Sequence, residues 1–128
     1  MEKDIKVIVI DDESDFVEPM AFWLKAKGYT VLTAGNGKEG IKVIHEKNPD
    51  IVFLDINMPV MDGFATLKEI RQFNKELPVI IISAYVNDPR LTEANKLGIS
   101  GVFYKGSDFN EGMALLETVL RTHKNLKK

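Results

Sequence analysis

Cysteine is missing altogether from these 128 residues. That excludes disulfides, thiolate metal sites and thiol catalysis, and it suits a reducing compartment. No apolar run approaches the length of a membrane-spanning helix, and the N-terminus, Met1-Glu2-Lys3-Asp4, lacks the hydrophobic core of a signal peptide. The expectation is a cytoplasmic protein with no membrane partner. Excess charge of one sign is lacking too: 17 Lys and Arg stand against 19 Asp and Glu, a net charge of -2. No global field therefore recruits nucleic acid or an anionic surface. Internal repeats and low-complexity segments are absent, and the length fits one domain, 1–128, able to bury a core without staples.

What is present is a series of short apolar runs, each ending in a polar group. Ile51-Val52-Phe53-Leu54 ends in Asp55, Ile5 to Ile10 in Asp11-Asp12, Val79 to Ile82 in Ser83, and Val102 to Tyr104 in Lys105. Runs of this length read as buried strands. Thr30 to Thr33 supplies another. Helical patterns separate them. Phe16, Met20, Trp23 and Leu24 follow a cap at Ser14 or Asp15 and stop at Gly28, with Pro19 an irregularity near the start. Asn36 and Glu39 open a helix burying Ile41 and Ile44, and Asn48-Pro49-Asp50 turns the chain into the central strand. Asp62 caps a helix turning Phe64, Leu67 and Ile70 inward; Asp88-Pro89 opens one with Leu91, Ala94 and Leu97; Asp108 opens one with Met113, Leu116 and Leu120.

Five strands alternating with five helices through short links predict an α/β fold: a doubly wound, five-stranded parallel sheet in a (βα)5 three-layer sandwich, order 2-1-3-4-5. Parallel strands end along one edge, so Asp11, Asp12, Asp55, Ser83 and Lys105 are expected to converge there. Taken singly, each has a bland reading: the acids as turn residues or caps, Ser83 as a strand-end hydroxyl, Lys105 as a solvated amine. Their joint placement is what points to chemistry. Three close carboxylates repel one another, and a cation relieves this. Oxygen-only donors favour magnesium, with manganese the alternative, and magnesium keeps room for phosphate oxygens. A carboxylate can itself attack phosphorus. Asp55 is the central candidate, expected to be ionised at neutral pH and so to need no general base. Lys105 would attract phosphoryl oxygens, by roughly 4 kcal/mol at about 4 Å before desolvation, and Ser83 would donate a hydrogen bond.

These residues carry a resemblance over almost the whole chain. Asp11-Asp12, Leu54-Asp55 with Met58-Pro59 and Met61-Asp62-Gly63, Ser83-Ala84, and Lys105 together resemble a receiver domain of the bacterial response regulators. The flavodoxin-like strand order is that family's own, so the two expectations are not independent. The resemblance implies that Asp12, Asp55 and the backbone carbonyl of Asn57 bind magnesium, with Asp11 acting through water. It implies that Asp55 accepts a phosphoryl group from a histidine of a partner kinase or phosphotransfer protein. A face of the fourth helix, fifth strand and fifth helix then signals to a downstream protein target or output domain. His45 and His123 lie late in helices and do not compete for that role.

The sequence departs from the family in two places. Gly106 follows Lys105 where most members have proline, so a trans bond and a glycine-dependent turn are expected. Val102 stands three residues before the lysine where an aromatic is usual, and alternation turns Phe103 to the opposite face. Asn57 and Tyr85 hold the positions that tune phosphate hydrolysis; a Tyr85 ring crowding the attacking water implies a fairly long-lived phosphate. Three other readings compete: a magnesium-dependent aspartyl-phosphate phosphatase, a flavin-binding module, and a binding module of this fold that is not phosphorylated. The tail from Thr122 to Lys128 reads as a solvated end or the start of a linker.

Overall fold

The structure, a computed structural model, describes residues 4–58 and 61–122. Pro59, Val60, His123 and the rest of the tail, and Met1 to Lys3 lie outside the described residues, and so do the expectations that rest on them.

Five strands and five helices alternate: β1 (Lys6–Ile10), α1 (Ser14–Ala26), β2 (Thr30–Ala34), α2 (Gly37–Lys47), β3 (Ile51–Asp55), α3 (Gly63–Phe73), β4 (Val79–Ser83), α4 (Arg90–Leu97), β5 (Gly101–Tyr104) and α5 (Phe109–Thr122). All pairings are parallel, in the order β2-β1-β3-β4-β5. The predicted order is the observed one. Every residue of β3 and β4 is buried, as strands covered by helices on both sides must be.

Alternation along the strands divides the interior in two. Ile8, Ile10, Val52, Leu54, Val79 and Ile81 face α2, α3 and α4, whereas Val7, Val9, Phe53, Ile80, Ile82 and Phe103 face α1 and α5. Val102 and Phe103 accordingly take opposite sides, as their spacing requires. Each fully buried large side chain is worth about 1.5–3 kcal/mol, so the two layers together outweigh any single polar contact described below.

The helix starts follow local chemistry, with some corrections. Asn36 Oδ1 accepts from Glu39 N–H at 2.8 Å, Asp62 Oδ1 from Ala65 at 2.8 Å, and Asp108 Oδ1 from Asn110 at 2.8 Å. Helix α1 begins a residue or two earlier than expected, at Ser14 with Glu13 at the cap, because Asp11 Oδ1 accepts the Glu13 amide at 2.9 Å and turns the chain there. Pro19 lies inside this helix on an exposed face, and the helix runs through it. In α3 the inward positions are Gly63, Thr66, Leu67 and Ile70, while Phe64 is only partly covered and belongs to neither core. The helix passes so close to α2 that a Cβ on Gly37 would lie 1.9 Å from Thr66 Oγ1; small groups fill this seam and the face turns away from Phe64.

The bond between Lys105 and Gly106 is trans, as expected. The turn, however, does not depend on glycine. Gly106 has no positive φ, a Cβ there would meet nothing within 4 Å, and the turn closes through Ser107 N–H donating to the Tyr104 carbonyl at 2.9 Å. No described helix is long and apolar enough to cross a membrane.

Candidate functional site

The C-terminal ends of β1, β3 and β4 and the residues after β5 meet at one edge, where the strand order reverses. Asp11 and Asp55 are buried, at 3% and 2% exposure, and Asp12 is exposed beside them. Carboxylate oxygens of Asp11, Asp12 and Asp55 lie within 4.8 Å of one another. Lys105 brings its ammonium among them: Nζ is 3.4 Å from Asp55 Oδ2 and 3.2 Å from Asp11 Oδ2, and it also pairs with Glu13 Oε1. The Lys105 ammonium also lies over the Phe16 ring, with Nζ 5.2 Å from its centroid. Its backbone N–H donates to the Ser83 carbonyl at 2.9 Å, which continues the β4–β5 ladder and fixes where the side chain begins.

Asp55 owes its position to a tight turn. Its Oδ1 accepts the Asn57 N–H at 3.0 Å, and the Ile56 carbonyl accepts Gly63 N–H at 3.2 Å as α3 begins. A Cβ on Gly63 would fall 2.1 Å from the Asp55 carbonyl oxygen and 2.4 Å from Ile56 Cα. Only glycine permits that approach, which gives the Asp62-Gly63 pair its physical meaning.

Burial pushes the Asp55 carboxyl from an ordinary 3.8 up to about 7. The Asn57 amide and Lys105 pull it down, and Asp11 pushes it further up. The expectation of a fully ionised Asp55 at neutral pH is thus corrected for the protein without bound cations: desolvation beats the neighbouring ammonium. Burial alone would lower the Lys105 ammonium, but the carboxylates of Glu13, Asp55 and Asp11 hold it above its usual range. Among the described residues, one buried side-chain acceptor remains unmatched. Asp11 Oδ2 is buried with no hydrogen-bond partner, and its 3.2 Å approach to Lys105 is an ion pair without hydrogen-bond alignment. An orphaned carboxylate oxygen among three oxygen donors fits a hard divalent cation.

All five groups expected at this edge lie at it, and four of them are the three carboxylates and the ammonium just described. Ser83 is at the same edge and buried, but its hydroxyl donates to the Tyr85 carbonyl at 2.8 Å and accepts from Tyr85 N–H at 3.2 Å, closing its own loop. The competing bond is local, and strand-end position alone could not reveal it. Tyr85 is 65% exposed. Asn57 is exposed. His45 stacks on Phe73 at 4.2 Å between α2 and α3, away from this edge.

Sequence reasoning passed over Glu13 and Arg90. Glu13 follows the acidic pair and reaches Lys105; its place in the same turn was the available signal. Arg90 opens α4 and donates to Ile56 and Asn57 across the site. Its only signal was an acid two residues earlier, Asp88.

The family model for the response regulator receiver domain matches residues 7–117. The transcriptional regulatory protein ZraR of Escherichia coli strain K12 is 36% identical over 121 residues, a match that covers 94% of this chain and 27% of ZraR. The chain thus spans about a quarter of that relative's length. Among solved structures, the receiver domain of NtrX from Brucella abortus superposes with a TM-score of 0.85 at 30% identity, covering 91% of this chain and 98% of that one. The chemotaxis protein CheY4 of Vibrio cholerae superposes with a TM-score of 0.86 at 26% identity, covering 91% and 99%. These matches favour neither the phosphatase nor the flavin reading. On the family match and the geometry at the sheet edge, the chain belongs to the response regulator receiver domain family.

Proposed function

We propose that residues 1–128 form one receiver domain, that Asp55 is its phospho-acceptor, and that the phosphodonor is a histidine on a kinase or phosphotransfer protein. The observation that carries the reading is the buried Asp55 carboxylate with Lys105 Nζ 3.4 Å away and two further acids beside it. Asp55 attacks phosphorus, a P–O bond forms as the P–N bond to the donor histidine breaks, and the imidazole leaves with the bonding pair. Lys105 pairs with the new phosphoryl oxygens. Ser83 exchanges its bond to the Tyr85 carbonyl for one to the phosphoryl group. Asp11, Asp12, Asp55 and the Asn57 carbonyl would hold magnesium or manganese, which supplies positive charge against the transferring group. The domain catalyses only its own phosphorylation and dephosphorylation, in the cytoplasm, and passes the signal through α4, β5 and α5 to a protein target or output domain.

Acetyl phosphate with magnesium, followed by intact mass, tests this. Wild type should gain one phosphoryl group and Asp55→Asn none. A wild type that stays unmodified would leave the unphosphorylated binding module as the better reading.

A further inference from the structure

Arg90 stands at the first position of α4, two residues beyond Asp88, yet its guanidinium lies over the turn that follows β3. Nε donates to Asp88 Oδ1 at 3.0 Å and Nη2 to Asp88 Oδ2 at 2.7 Å, a planar fork on a carboxylate that is 8% exposed. The same Asp88 oxygen, Oδ1, accepts the Arg90 backbone N–H at 3.0 Å. The guanidinium is thereby fixed in plane. Nη1 points away from the fork and donates to the Ile56 carbonyl at 3.1 Å, with Asn57 Oδ1 at 3.5 Å. Ile56 and Asn57 are the two residues directly after Asp55, and the Ile56 carbonyl is the same one that Gly63 N–H meets. The turn carrying the acceptor is held from the α3 side by the Gly63 amide and from the α4 side by Arg90.

We propose that Arg90 is a positioning residue for the phosphorylation site: oriented by Asp88, it locks the Ile56–Asn57 turn in the form that presents the metal-binding oxygens. The inference rests on the acceptor reading of Asp55. It touches neither phosphorus nor metal. A residue one step removed from the ligands of an ion commonly changes its affinity about tenfold or more.

Two effects of Arg90 on a magnesium ion have opposite signs, which makes the role testable. As a bare positive charge near an acidic cluster, Arg90 repels the ion, so its removal would tighten binding. As a clamp on the turn, it organises the ligands, so its removal weakens binding. The experiment is calorimetric titration of magnesium into the full chain for wild type, Arg90→Ala and Arg90→Lys, with acetyl phosphate kinetics across magnesium concentration and thermal melts alongside. We expect a loss of affinity of roughly fivefold or more in both variants, since lysine keeps the charge but cannot form the fork. The phosphorylation rate at saturating magnesium should stay within about twofold of wild type, because the acceptor itself is intact.

Unchanged or tighter binding in Arg90→Ala overturns the proposal, and so does full recovery in Arg90→Lys. Should Arg90→Ala melt below the assay temperature, Arg90→Lys and Asp88→Asn, which frees the guanidinium while keeping its charge, decide the question by the same criterion. Wild type that binds magnesium but never takes phosphate would defeat the acceptor reading and leave the clamp standing.

Discussion

Asp55 carries a carboxyl that burial holds near neutrality, and this has a consequence for stability. Its folded value, about 7, lies above the ordinary 3.8, so between those values the folded protein keeps a proton that the unfolded chain has released. Stability of the metal-free protein therefore falls as pH rises through that window, and the whole penalty is present above it. Asp55→Asn removes the penalty. In chelator the variant should exceed wild type by on the order of 4 kcal/mol at pH 8, with the difference shrinking steadily towards pH 4. Urea unfolding at several pH values reads this directly, and a constant difference would refute it. Two glycines make a second contrast at this scale. Gly63→Ala sets a methyl against fixed backbone and should cost about 2–4 kcal/mol, whereas Gly106→Ala meets open space and should change stability by less than about 1 kcal/mol, in either direction.

Among the elements, α1 is the least comfortable. Pro19 removes a backbone donor inside the helix and sits on its exposed face, away from Met20 and Leu24, which hold the helix to the sheet. Pro19→Ala should restore one hydrogen bond without disturbing packing and raise stability by about 1–3 kcal/mol, seen as a higher melting temperature with unchanged phosphorylation. Element scale is also where legibility in the sequence was uneven. Strands β1, β3 and β4 announced themselves, since apolar runs of that length bounded by acids and turns have few other uses. Caps with short acceptors, Asn36 and Asp62, were equally plain. The orientation of α3 was not, because the Gly37–Thr66 seam that rotates it belongs to two elements at once. Arg90 was hidden for a related reason: on a helix start it looks like a solvated charge, and only the fold brings it to the turn after β3. Ser83 shows the reverse case, with the strand end correctly placed and the hydroxyl taken by its own loop.

At the scale of the whole molecule, one sheet serves two cores. Phe53 and Leu54 are neighbours in sequence, fully buried, and face opposite layers. Neither layer keeps its floor if the other loses the sheet, so the domain should unfold as a unit. Phe53→Ala should cost about 3–5 kcal/mol, and Trp23 fluorescence and far-ultraviolet circular dichroism should still report one coincident transition. Separate midpoints for the two probes would show that the layers fail independently.

The closeness of Gly63 to the backbone of Asp55 and Ile56 also divides what can be altered from what cannot. The inner wall of the turn after β3 is main chain pressed on main chain, with no atom to spare, and a designer has no freedom there. Asn57 and Tyr85 are both exposed, so exchange of their side chains should cost little stability. Variation along this turn is therefore expected at the outward side chains and not at the wall.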